Sequence, residues 1–202
     1  MIDQILRLPK EKIFEPLARS VFKEVHPTTI TGIASLVAVG AGIAATQQAY
    51  ELTLGLWLVN RFLDGLDGTM ARVNQRQSDL GGYLDIVLDM VAYTAIPLGL
   101  ALGVHRMDVY ISLALLFGIF YINSATWMIL SAILEKRNLG AKARGELTTV
   151  KMPASVIEGA EAVIMYSLFI LFPQWLVYLF GLLAALVLIT AIQHVIWAVK
   201  NL

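Results

Sequence analysis

Cysteine is absent from all 202 residues, which excludes disulfides, thiolate metal sites and a cysteine nucleophile. Charge is scarce and balanced: 15 Lys and Arg offset 15 Asp and Glu, and no basic run is interleaved with aromatics as a nucleic-acid groove requires. Nucleic acid is therefore not an expected partner. The histidines His26, His105 and His194 are scattered without ligand spacing and read as interface residues. No internal repeat or low-complexity tract stands out. Residues 1–26 are charged and hold no apolar run followed by a small-residue cleavage site, so no cleavable signal is expected. What is abundant is apolar surface. Hydrophobic residues make up 58% of the chain and the mean hydropathy is +0.72, whereas about 45–50% is usual for soluble domains. The chain belongs in a membrane.

Against that background the stretch DGLDGTMARVNQRQSDLGGYLDIVLD, from Asp64 to Asp89, concentrates acid. As a helix, its first half places Asp64, Asp67, Gly68 and Ala71 on one face, with Arg72 at the edge. Gly81, Asp85 and Asp89 recur every four residues and form a second face. Joining the two faces gathers Asp64, Asp67, Asp85 and Asp89 around one point, which repels itself unless cations occupy the middle. An all-oxygen donor set suits hard ions, so magnesium, manganese or calcium is expected rather than zinc. Two such ions, about 3.5–4 Å apart, polarise a phosphoryl group and stabilise both the attacking and the leaving oxygen. Glycine lets a phosphate approach the backbone, and Arg72 offers a guanidinium to a diphosphate. Phosphoryl transfer is the reaction class these residues fit. A cation transporter conducting through the acids is an alternative, but it leaves Gly68, Arg72 and Gly81 unexplained. Solvated helix-end carboxylates are the bland reading, against which stands the cost of intramembrane charge.

The same residues spell D-x-x-D-G-x-x-A-R-x8-G-x-x-x-D-x-x-x-D, which resembles the signature of the CDP-alcohol phosphotransferase family at every fixed position. Eight positions at set spacing arise by chance on the order of once in 10^10 starts. The resemblance implies an all-α integral membrane protein of six transmembrane helices preceded by an N-terminal amphipathic interfacial helix. It implies two divalent cations, Mg2+ or Mn2+, a CDP-linked lipid such as CDP-diacylglycerol, and a homodimer. An alcohol would attack the lipid-side phosphorus and CMP would leave; with water as acceptor the same site would be a CDP-lipid hydrolase. Carried over residue by residue, Asp64, Asp67 and Asp85 become metal ligands, and Asp89 becomes ligand and general base. Gly68, Ala71 and Arg72 line the cytidine diphosphate pocket, and Gly81 gives it room. Pro27 and Thr31 fall near the nucleotide, although the usual Asn after the proline is Thr28 here.

In chain order, residues 1–26 carry apolar positions at helical spacing among Arg7, Lys10, Lys12, Arg19 and Lys23, as a basic interfacial helix does. Residues 27–202 form the membrane domain, with expected spans from Pro27 to about Tyr50, Glu51 to Asn74, Asp79 to Val104, Asp108 to Glu135, Met152 to Phe172 and Trp175 to Lys200. Small residues Gly32, Ala34, Ala38, Gly42 and Ala45 predict close helix approach in the first span. Ser78 or Asp79 is expected to cap the third, and Pro97 to disturb it. With the N-terminus inside, six spans leave only Arg106 outside, which satisfies the positive-inside rule and turns the acidic stretch to the cytoplasm. The compact chain fits a prokaryotic plasma membrane.

The acceptor site is least legible. Arg61, Lys142 and Arg144 are candidate ligands for a phosphorylated acceptor. Arg61, three residues before Asp64, is equally well a charge partner for an aspartate. Glu158 and Glu161, expected on one face of the fifth span, suit hydroxyls, an ammonium group or a salt bridge. Asn123, Ser124 and Thr126 are expected to make interhelical bonds.

Overall fold

The structure, a computed structural model, describes residues 14–20, 24–139 and 156–202. Its backbone is helical, and no strand occurs among the described residues, as apolar surroundings require when every amide must find its partner within its own segment. The six helices are α1 (Pro27–Thr46), α2 (Tyr50–Val73), α3 (Asp79–Val104), α4 (Met107–Lys136), α5 (Gly159–Leu171) and α6 (Leu176–Asn201), with a single 3-10 turn, Pro173–Trp175, before the last. Four of them, α1, α3, α4 and α6 with its preceding turn, are long and apolar enough to cross a membrane. α2 has the length, 24 residues, but carries Arg61, Asp64, Asp67 and Arg72. α5 is a shorter apolar helix.

Helix ends follow local chemistry. α1 starts at Pro27, whose missing N–H is one of the four donors that a helix start leaves unmatched. At α3, Ser78 is the cap and its Oγ accepts from the Gly81 amide at 3.0 Å. Four connections turn through left-handed residues that are not glycine: Gln48, Gln75, His105 and Asn138, all with φ between 52° and 57°. The first span accordingly stops at Thr46, short of the expected Tyr50.

α1 packs most extensively against α3 and α2, α4 packs against α6, and α5 touches α2, α3 and α6. The α1–α3 seam is backbone on backbone: a Cβ at Gly42 would lie 2.6 Å from the Ala95 carbonyl oxygen, and one at Gly103 would lie 2.5 Å from that of Ala45. Gly99 meets the Gly42 carbonyl in the same way, so the small-residue stripe of α1 closes on one of α3. Gly32 is not part of it, having open space where a Cβ would go. The apolar core gathers Trp57, Ile96, Leu100, Tyr166, Phe169 and Phe180, while Leu36, Ile111 and Tyr178 are among many large apolar side chains on the outside, the reverse of a water-facing surface.

Pro97 lies inside α3 and cannot donate to the carbonyl four residues back, that of Tyr93. The Tyr166 hydroxyl of α5 donates to that oxygen instead, at 2.7 Å. A neighbouring helix thus supplies the bond that the proline removes.

The fifth helix begins at Gly159 rather than Met152, because Glu158 and Glu161 form a reciprocal cap at its start; before it, the Val156 and Ile157 amides donate to Gln193 Oε1 and Thr190 Oγ1 of α6, both at 3.2 Å. In the N-terminal segment, residues 14–19 are helical, and Phe14 and Ala18 are buried against Ile30, Leu66 and Met70. The rest of the expected interfacial helix up to residue 13, with Arg7, Lys10 and Lys12, and also Lys23, lies outside the described residues.

Candidate functional site

α2 and α3 present their acids to a cleft whose third wall is α1. Thr31 and Ser35 come from α1, Asn60, Arg61 and Asp64 from α2, and Asp85, Leu88 and Asp89 from α3. The two four-residue rhythms of the sequence therefore meet, and Thr31, buried with its hydroxyl donating to the Pro27 carbonyl, joins them.

Arg61 sits at the centre. Its side chain is only 11% exposed, and its Nη2 donates to Asp89 Oδ1 at 2.6 Å while Nη1 stands 3.7 Å from Asp64 Oδ2. Nε donates to Asn60 Oδ1 at 2.8 Å and Nη1 to the Tyr93 hydroxyl at 3.3 Å. Asn60 is fixed in turn, because its Nδ2 donates to the Ala34 carbonyl at 2.8 Å. The guanidinium lies 4.6 Å from the Trp57 ring centroid and 5.1 Å from that of Tyr93, within cation–π range of both. Tyr166 stacks on Trp57. The two ion pairs match the charge-partner reading of Arg61, and the same guanidinium lines the cleft, where the phosphate-ligand reading would place it.

Asp67 is 4% exposed and lies within electrostatic range of Asp64 and Asp85. Its Oδ2 is buried without a hydrogen-bond partner. Arg72 folds along its own helix, Nη2 donating to Thr69 Oγ1 at 3.3 Å, and a Cβ at Gly68 would come within 3.4 Å of its Nη1. That distance is an ordinary contact, and Ala71, on the same helix, is half-buried. Gly81 serves the cap: a Cβ there would lie 3.0 Å from Ser78 Oγ, with Thr28 Oγ1 at 3.9 Å.

Among the described residues no three acidic or imidazole side chains stand close enough to form a finished metal cage. The donors nonetheless fit a hard divalent ion. They are carboxylates, three of them share one cleft, and the fourth has a buried oxygen with nothing bound to it.

The other candidates are elsewhere. Lys142 and Arg144 lie outside the described residues. The Glu158 amide donates to Glu161 Oε2 at 3.3 Å, and the Glu158 side chain accepts from the amide of Glu161 in return. His194 is not an interface residue: at 3% exposure it lies between α6 and α4, its Nδ1 3.2 Å from Thr126 Oγ1. Asn123 Oδ1 and His194 Nε2 are buried there without hydrogen-bond partners. His26 and His105 do lie at helix ends.

Trp57, Asn60 and Tyr93, which hold Arg61, were not singled out by sequence reasoning. The signal was present: Tyr93 continues the spacing of Gly81, Asp85 and Asp89, and Trp57 lies one turn before Arg61.

Fold and site together define an all-helical integral membrane protein with an acidic centre inside its helices. The model of the CDP-alcohol phosphatidyltransferase family matches residues 24–197, and the chain belongs to that family. It is thus a transferase of phospholipid synthesis, an enzyme that moves phosphatidyl groups. The inner membrane protein YnjF of Escherichia coli is 30% identical over 72% of this chain and 69% of its own. The phosphatidylinositol phosphate synthase of Cutibacterium acnes is 37% identical over 45% of each chain. The archaetidylinositol phosphate synthase of Methanothermobacter thermautotrophicus is 27% identical over 95% of this chain and 91% of its own. The crystal structure of Mycobacterium tuberculosis phosphatidylinositol phosphate synthase with CDP-DAG bound has the same fold, at TM-score 0.65 and 20% identity, covering 91% of this chain and 92% of that one. The same enzyme in complex with manganese and citrate gives TM-score 0.64.

Proposed function

We propose that the protein transfers a phosphatidyl group from CDP-diacylglycerol, or a close CDP-lipid, to a small alcohol with release of CMP, and that it uses two divalent cations, Mg2+ or Mn2+. The observation that carries this reading is the cleft shared by Asp64, Asp85 and Asp89 beside the unmatched buried oxygen of Asp67. Names of similar proteins agree with it: a neighbour of the same fold binds CDP-DAG and another complex of it holds manganese.

Asp64, Asp67, Asp85 and Asp89 would hold the cations. Those ions, when bound, supply Lewis-acid polarisation of the phosphoryl oxygens and charge stabilisation on the leaving phosphate. Asp89 accepts the proton of the attacking hydroxyl, a role that its place on the wall of the cleft allows. Arg72 holds the diphosphate, Gly68 and Ala71 leave room for it beside α2, and Thr31 and Gly81 border the cytidine end. The polar cleft is walled by three apolar helices, α1, α2 and α3, so a lipid-bound phosphorus and a water-soluble alcohol can meet there.

The topology belongs to the same proposal: six spans, α1 to α6, N-terminus and cleft cytoplasmic, as a homodimer in a prokaryotic plasma membrane. α2 then crosses with its charged face turned inward. α5, about 20 Å long at 1.5 Å per residue, needs the residues before Gly159 to complete its passage. Glu158 and Glu161 lie at the start of α5, where they, Lys142 and Arg144 remain candidates for the acceptor.

Purified protein incubated with labelled CDP-diacylglycerol, Mg2+ or Mn2+, and in turn serine, glycerol 3-phosphate, inositol and inositol 1-phosphate tests the reading. Release of CMP that needs both a cation and one alcohol is the expected result. Release without alcohol identifies a hydrolase, and cation flux without nucleotide identifies a transporter.

A further inference from the structure

We infer that Arg61 is a built-in counter-cation: it holds Asp89 and Asp64 in place while the site awaits its divalent ions, and it gives way to them when they arrive. The inference rests on the metal-dependent reading above. It starts from a conflict of charge. The guanidinium lies 2.6 Å from Asp89 and 3.7 Å from Asp64, where an ion ligated by those oxygens would have to sit. A guanidinium and a divalent cation cannot both occupy that space, and their mutual repulsion over a few ångströms exceeds what one hydrogen bond returns.

The surroundings show how the exchange is possible. Arg61 cannot withdraw far, because Asn60, itself fixed to the Ala34 carbonyl, holds its Nε. It need not be expelled, because the faces of Trp57 and Tyr93 already cover it at 4.6 and 5.1 Å and can shelter a cation that has lost its carboxylate. The movement is confined to the guanidinium end. Without Arg61 the empty site would hold Asp64 and Asp89 in mutual repulsion at low dielectric, and their side chains would turn apart. With it, the carboxylates keep the geometry that the ion will use. Arg61 is in this sense a positioning residue, and its effect on the ion is a coupling free energy of the usual size.

The test is Mn2+ binding in detergent, without nucleotide or alcohol, followed by the electron paramagnetic resonance signal of free Mn2+ and by thermal unfolding. Arg61→Met is expected to bind its first Mn2+ roughly ten-fold tighter than wild type, to unfold at lower temperature without metal, and to regain the wild-type midpoint at saturating Mn2+. Equal affinities, or a loss of stability that Mn2+ does not repair, would overturn the inference. If the wild type itself bound no Mn2+, the metal-dependent reading would fall first, and this inference with it. Should Arg61→Met not fold, wild-type Arg61 is followed instead through Trp57, in a background where Trp127, Trp175 and Trp197 are replaced by Phe. Mg2+ should then change Trp57 emission over the same range in which it competes with Mn2+, and an unchanged emission overturns the inference.

Discussion

α1 and α3 run side by side in the same direction, yet the two ends of their contact are opposites. At one end Gly42, Ala45, Gly99 and Gly103 bring backbone onto backbone and leave no space for a single methyl group. At the other, Thr31 faces Asp85 and Asp89 across a cleft that α2 completes with Arg61 and Asp64. The closed end uses residues with almost no side chain, and the open end uses polar and charged side chains that line a cleft. The tight seam fixes how α1 and α3 lie against each other, so the residues of the open end are held in one register.

The largest effect is expected at the open end. Asp64→Asn, Asp85→Asn and Asp89→Asn should each lower CMP release by about a thousand-fold or more, since each removes a carboxylate from the proposed ion site; the seam should be unaffected, with the detergent unfolding midpoint of Asp85→Asn near wild type and that of Asp89→Asn below it, because the latter breaks the 2.6 Å ion pair to Arg61. Full turnover in any of them would disconnect the cleft from the chemistry. Next comes the closed end, where Gly99→Leu should destabilise the bundle by about 3 kcal/mol, as overpacking against a backbone carbonyl does, measured by reversible unfolding in mixed micelles. Gly32→Ala, on the same α1 but in open space, should stay within about 0.5 kcal/mol, which separates seam glycines from bystanders.

Smaller effects sharpen the comparison between these ends. Tyr166→Phe removes the 2.7 Å bond to the Tyr93 carbonyl and should cost about 1–2 kcal/mol. Adding Pro97→Ala restores a donor within α3, so the double variant should recover most of that loss, and strict additivity in this cycle would show that the 2.7 Å bond contributes nothing. Smallest is Ser78→Ala, which removes the cap of α3 beside Gly81 and should cost about 1 kcal/mol with the seam intact.

The apolar runs made the helices legible, and third-span limits Asp79 and Val104 coincide with α3. The acidic face was legible because its spacing repeats. Three things were not. Helix stops at Gln48, Gln75 and His105 carry neither glycine nor asparagine, so the sequence does not announce a left-handed turn there, whereas Asn138 is a residue that adopts it readily. Glu158 and Glu161 look like an intramembrane pair until the helix is seen to start between them, and a capping box with Glu in place of Ser or Thr at its first position is easily missed. The aromatic cradle of Arg61 depends on which of several Trp and Tyr residues three different helices bring together, and single-chain periodicity does not encode that.

The Pro97 exchange also bears on how the protein is made. α5 follows α3 in the chain, so the Tyr166 bond to the Tyr93 carbonyl forms only after both helices have been synthesised. The arrival of Tyr166 supplies it and, in the same step, completes the aromatic wall behind Trp57. A chain cut after the fourth helix would therefore carry all four cleft aspartates but lack the Tyr166 ring that stacks on Trp57 behind Arg61.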